Sequence, residues 1–186
     1  MEVTRMVRRM MCVFTLATAL GAGTALAQQP AAAPAAMPTP VQAMARDFVN
    51  LSDKFTGLAR VMAGKYDWRP GQGVRSAGEV FNLIVTENKM LAGLLAGPGG
   101  PASGLGGAAA ISDAAAMQEA LKTSYAAIGQ ALSTMSPAEL ATPVTLFGRN
   151  TTKEGAVFIL MVDQHEHLGQ SIAYARTNGV VPPWSK

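Results

Sequence analysis

Cysteine is almost missing from the 186 residues: the single one, Cys12, sits in an apolar run near the start. No disulfide, thiolate metal ligand or cysteine nucleophile is therefore expected in the body of the chain. Charge of one sign is equally scarce. The formal net charge is +3, too little to imply nucleic acid as a partner. No stretch sustains the alternation of a half-buried strand, and the apolar run from Met10 to Leu20 is too short to span a membrane. Phosphate-cradling glycine loops, a nucleophile elbow and zinc-finger spacing are also missing. The glycines of residues 97–107 have no following Lys-Ser/Thr and read as a linker.

What is present begins with a targeting signature. Arg5, Arg8 and Arg9 precede the apolar run, and Ala25-Leu26-Ala27 supplies a small-x-small cleavage site. Residues 1–27 thus read as a signal peptide, which makes the protein periplasmic or secreted. Its removal takes away three arginines and Glu2, leaving 12 basic and 11 acidic residues and a net charge of +1. Residues 28–39, with Pro30, Pro34 and Pro38, read as a disordered Ala/Pro-rich spacer, and residues 40–186 as one domain.

Helical periodicity fills that domain. Met44, Phe48, Leu51, Phe55, Leu58 and Met62 recur at spacings of three and four, which predicts a first helix from about Pro40 to Gly64. Ser76 and Glu79 form a capping box that opens a second helix, running to about Ala96. Met117, Leu121, Tyr125, Ile128 and Leu132 mark a third, from about Ser112 to Met135. A short helix follows Ser136, with Pro137 first and Glu139 completing another box. The last long helix is expected to start near Thr151, with Glu154 as box partner, and to stop at Asn178-Gly179. The prediction is an all-α, four-helix bundle with a short extra helix before the last long one.

Chemistry concentrates near the end. At about 100° per residue, Asp163, His167, Gln170 and Tyr174 share one helical face. The preceding run, Val157 through Val162, is apolar and reads as buried. A polar stripe continuing a buried one implies a site or an internal hydrogen-bond network, because unpaired polar groups are costly in a core. Asp163 and His167, one turn apart, can hold one metal ion or fix one imidazole tautomer. His165 points away from that pair and reads as a solvated or helix-contact residue. On the second helix Glu87 interrupts the apolar stripe of Leu83, Met90 and Leu94. It reads either as a ligand or base, or as a partly exposed side chain at a helix boundary.

Several separated motifs then converge. They are Trp68-Arg69-Pro70, the run from Gly73 through Arg75 and Glu79 to Val80, His165-Glu166-His167-Leu168-Gly169-Gln170, Tyr174-Ala175-Arg176, and the close Pro182-Pro183-Trp184-Ser185. Together they resemble the DinB-like superfamily of four-helix bundles, especially its exported members, over roughly residues 39–185. The resemblance implies a divalent metal, nickel or zinc, on three histidines. One comes from the second helix and two, one turn apart, from the last. It also implies, for some members, thiol-dependent transferase or isomerase activity. Carried onto this chain, the ligand positions are Leu83, Asp163 and His167. One histidine is kept, one is replaced by an oxygen ligand, and one is lost to leucine.

Glu87, one turn beyond Leu83, offers a substitute and would give a Glu/Asp/His set, with Leu83, Gln170 and Tyr174 lining it. Three functions follow, the first being the expectation and the second its alternative. The first is a binding or structural module with a degenerate metal site and no robust metal-dependent catalysis. The second is a metal-dependent thiol transferase or hydrolase with the remodelled site, taking a small molecule. The third is a homodimer built on the end around Trp184. Polar residues converging on Leu83 and Glu87 across the bundle would favour the second.

Overall fold

Thr39 starts the first helix by accepting from the Gln42 amide, while the Gln42 side chain accepts from the Thr39 amide in return. Pro40 occupies the first helical position, where its missing N–H is no loss. In this computed structural model, which describes residues 37–97 and 109–185, helix α1 spans Pro40–Val61. Helix α2 spans Ala77–Ala96 behind the Ser76/Glu79 capping box. Helix α3 spans Ala114–Thr134, capped by Asp113, and the short α4 spans Pro137–Leu140, capped by Ser136. Helix α5, Lys153–Thr177, closes the bundle and stops at Asn178 ahead of Gly179, whose φ of 69° suits glycine. The signal peptide expected at 1–27, most of the expected spacer and nearly all of the glycine-rich stretch lie outside the described residues.

The four long helices stand in the order α1, α3, α2, α5 around the bundle, so α2 and α5 are neighbours. Phe48, Leu51, Phe55 and Leu58 of α1, Phe81 and Ile84 of α2, Leu121 and Ile128 of α3, and Val157 and Leu160 of α5 fill one core. Among the described residues no helix is long and apolar enough to cross a membrane.

Two expectations are corrected. First, the chain between α4 and α5 is not strand-free: Pro143–Leu146 (β1) and Arg149–Thr152 (β2) pair antiparallel, with Leu146 opposite Arg149. Phe147 and Gly148 make the turn, both at positive φ (49° and 75°), which matches the twist of a tight hairpin. β2 runs through Thr151 to Thr152, so α5 starts later than expected and Thr152 caps it, accepting from the Gly155 amide. Second, the run from Val157 to Val162 is buried only in part. Six consecutive helical residues sweep more than a full turn, so they cannot all face inward. Val157 and Leu160 are buried, whereas Phe158, Ile159 and Val162 are 55%, 40% and 41% exposed.

The segment after α5 folds back onto α1. Pro183 Cγ and Trp184 Cζ3 lie 3.3 and 3.6 Å from where a Cβ on Gly57 would sit, so Gly57 admits them by lacking one. Lys54 Nζ stands 6.0 Å from the Trp184 ring centroid, and the indole is left 39% exposed. Trp184→Ala is expected to cost about 1–2 kcal/mol, lowering the melting temperature by roughly 2–6 °C, readable by circular dichroism.

Candidate metal site

Buried Glu87 faces α5 from the middle of α2, so the helix-boundary alternative does not hold. Asp163 and His167 face it from the neighbouring α5. One ligand atom from each of Glu87, Asp163 and His167 lies within 4.8 Å of the other two, and the three can hold a metal ion. His167 Nε2 is 3.7 Å from Asp163 Oδ2, with the two side chains 18% and 37% exposed. The site is therefore half-sheltered: its carboxylate from α2 is inside the bundle and its α5 pair borders solvent.

The donor set fits a cation in charge as well as position. Glu87 Oε2 is buried and has no hydrogen-bond partner among the described residues. Burial first, then the charge of the Asp163 carboxylate and a hydrogen bond with it, push the Glu87 acid up to about 8, against a partial opposing effect of Arg75. Two carboxylates in one sheltered space need either a proton or a cation between them, and the orphaned oxygen points to the same need.

The imidazole is held in a definite tautomer. Gln170 Nε2 donates to the Tyr174 hydroxyl (2.8 Å), which leaves Gln170 Oε1 to accept from His167 Nδ1 (2.9 Å). Nδ1 thus carries a hydrogen, which leaves Nε2, the nitrogen facing Asp163, as the atom available to a metal ion. Tyr174 in turn donates to the Arg75 carbonyl (3.2 Å), and its ring meets Trp68 edge-on at 5.2 Å. The stripe of Asp163, His167, Gln170 and Tyr174 is one connected structure that ends on the segment leading into α2.

His165 stands apart, bonded through Nε2 to Asp47 of α1 at 2.5 Å. Leu83 is half-buried one turn before Glu87.

Sequence reasoning missed a second polar layer deeper in the bundle. Gln164 Nε2 donates to Asn88 Oδ1 (2.6 Å), Asn88 Nδ2 donates to Ser124 Oγ (3.0 Å), and Ser124 Oγ donates to the Leu121 carbonyl (2.9 Å). Gln164 follows Asp163 and Asn88 follows Glu87 by one position, so this clamp joins the stretches of α5 and α2 that carry the candidate ligands. Its signal was available: both amides interrupt apolar series at spacings of three and four, Leu160–Gln164–Leu168 and Ile84–Asn88–Leu91.

Comparison with known proteins agrees with this architecture. The DinB superfamily model matches residues 50–171, which include Glu87, Asp163 and His167. The crystal structure of a DinB-like protein from Bacillus subtilis is similar at a TM-score of 0.60 and 19% identity, covering 74% of this chain and 92% of that one. A DinB-like protein from Bacillus cereus is similar at a TM-score of 0.63 and 18% identity, covering 77% and 95%. No curated protein matches the chain. The chain belongs to the DinB superfamily.

Proposed function

We propose that this protein binds one divalent cation on Glu87, Asp163 and His167, and that the bundle serves as a metal-dependent module acting on a small molecule. The observation that carries this reading is that a Glu87 carboxylate oxygen lies within 4.8 Å of a ligand atom from each of Asp163 and His167, on a buried side chain whose Oε2 has no hydrogen-bond partner among the described residues. Glu87 from α2 takes over from the histidine that Leu83 replaces, and Asp163 supplies an oxygen where a second histidine is expected from the resemblance. Two carboxylates and one imidazole match zinc, which accepts oxygen and nitrogen ligands in three-ligand sites that leave a position open. A cation there would supply Lewis-acid polarisation to a molecule reaching the exposed side.

The chain's own residues do the rest. Gln170 and Tyr174 engage His167 Nδ1 and so hold the ring with Nε2 turned toward Asp163. The Asn88–Gln164 clamp fixes the distance between α2 and α5, and hence between Glu87 and the Asp163/His167 pair. Leu83 walls the site one turn away. The basic start and the Ala25-Leu26-Ala27 motif support an exported location for this activity.

A melting experiment tests the site. Zinc at a hundred times its dissociation constant stabilises by about 2.7 kcal/mol, a rise of roughly 5–10 °C for a chain of this size. His167→Ala is expected to melt at the same temperature with and without zinc. An equal rise in wild type and His167→Ala would place the ion elsewhere.

A further inference from the structure

Beside the metal site lies an open cleft of about 630 Å³, between the segment leading into α2 and the first turns of that helix. Its volume is that of a small-molecule pocket. Most of the polar side chains on its wall are already engaged. Arg69 donates to the Val74 carbonyl and pairs with Glu79 at 3.4 Å, and Glu79 also accepts from the Ser76 amide. Asn82 donates to the Gly78 and Ile111 carbonyls and accepts from the Ile111 amide, while Thr86 donates to the Asn82 carbonyl. The Arg75 guanidinium differs. It is exposed on the cleft wall and makes no hydrogen bond or ion pair with another described residue, although it lies near enough to Glu87 to act on its charge.

We propose that this cleft binds a small carboxylate-bearing molecule, with its carboxylate on Arg75 and its remaining atoms running along Leu83 and Thr86 toward Glu87. A planar guanidinium presents two parallel N–H groups that match one carboxylate. A phosphate dianion would need more donors than Arg75 offers, since Arg69 is held by Glu79, and the Glu79 carboxylate on the same wall repels a second negative charge. Leu83, Val74 and Ala110 give the apolar lining on which a short carbon chain can lie. The Arg75 backbone is anchored by the Tyr174 hydroxyl, the last link of the chain that orients His167. The carboxylate anchor and the imidazole therefore share one support.

The direction of the ligand toward Glu87 rests on the metal-site reading; recognition by Arg75 does not. The test is calorimetric titration of succinate into zinc-loaded and metal-free protein, with zinc affinity measured in parallel. Wild type, Arg75→Gln and Arg75→Lys are compared, and melting curves check that each variant is folded. Succinate is expected to bind wild type, more tightly in the zinc form. Arg75→Gln should weaken it roughly tenfold or more, and Arg75→Lys should recover part of the loss by keeping the charge without the fork. Neither variant should weaken zinc binding. Absence of succinate binding at millimolar concentration in both forms, or binding unchanged by Arg75→Gln, overturns the proposal. Arg75-dependent succinate binding in a protein that takes no zinc would overturn the metal site and leave the cleft standing.

Discussion

Replacing Glu87 by glutamine should abolish zinc binding while stabilising the metal-free protein at pH 8. The first effect follows from removing the one ligand that α2 supplies. Affinity should fall by more than the roughly 10–100-fold that loss of an orienting partner costs. The second follows from proton linkage. In the folded protein the Glu87 acid is raised from 4.5 to about 8. Between those values the folded chain holds a proton that the unfolded chain has released, so stability falls as pH rises through that window. The Glu87 contribution is complete below pH 4.5 and lost by about pH 8. Glutamine is neutral throughout and removes this slope. Melting curves of the metal-free forms from pH 5 to 8 should diverge, with wild type falling by several degrees relative to Glu87→Gln. Adding zinc should reverse their order. Parallel curves for the two metal-free proteins would mean that Glu87 is not held in the protonated form.

The opposite change is expected from Leu83→His. Leu83 is half-buried one turn before Glu87 and lines the neighbouring cleft, at the position the resemblance gives to the second-helix histidine. An imidazole there adds a fourth protein ligand to the three already present, moving the site from an open set toward a closed one. Zinc affinity should rise roughly tenfold or more, and any turnover of a small molecule should fall as the open position is filled. The cost in the metal-free protein should be modest, because the position is half-buried and not in the core. Unchanged zinc affinity in a folded Leu83→His variant would show that this position does not reach the ion.

Much of this was legible before any coordinates. The spacing of Met44, Phe48, Leu51, Phe55 and Leu58 shows in the sequence because a helix repeats its inward direction every three or four residues. The caps at Ser76 and Ser136 are chemically constrained in the same local way. Asp163, His167, Gln170 and Tyr174 could be grouped from periodicity, since their face is a property of one helix. What failed needed information from a second element or from turn geometry. Four-residue strands are too short for alternation to register, and Phe147 in a left-handed turn is not a residue type that announces one. Exposure of Phe158, Ile159 and Val162 depends on where α1 and α2 press against α5. Glu87 could be flagged as an interruption of an apolar stripe, but its burial and its approach to Asp163 appear only when the two helices are side by side. Arg75 appeared only as one residue of the Gly73–Val80 motif, because its meaning lies in what its neighbours on the cleft wall are already bonded to.

The central claim is that Glu87, Asp163 and His167 together form a divalent-cation site. Calorimetric titration of zinc into the metal-free wild type and His167→Ala tests it most directly. One zinc per chain at micromolar affinity or better in wild type, lost in His167→Ala, is the result expected of three converging ligands. Absence of saturable zinc binding in a folded wild-type protein would contradict it.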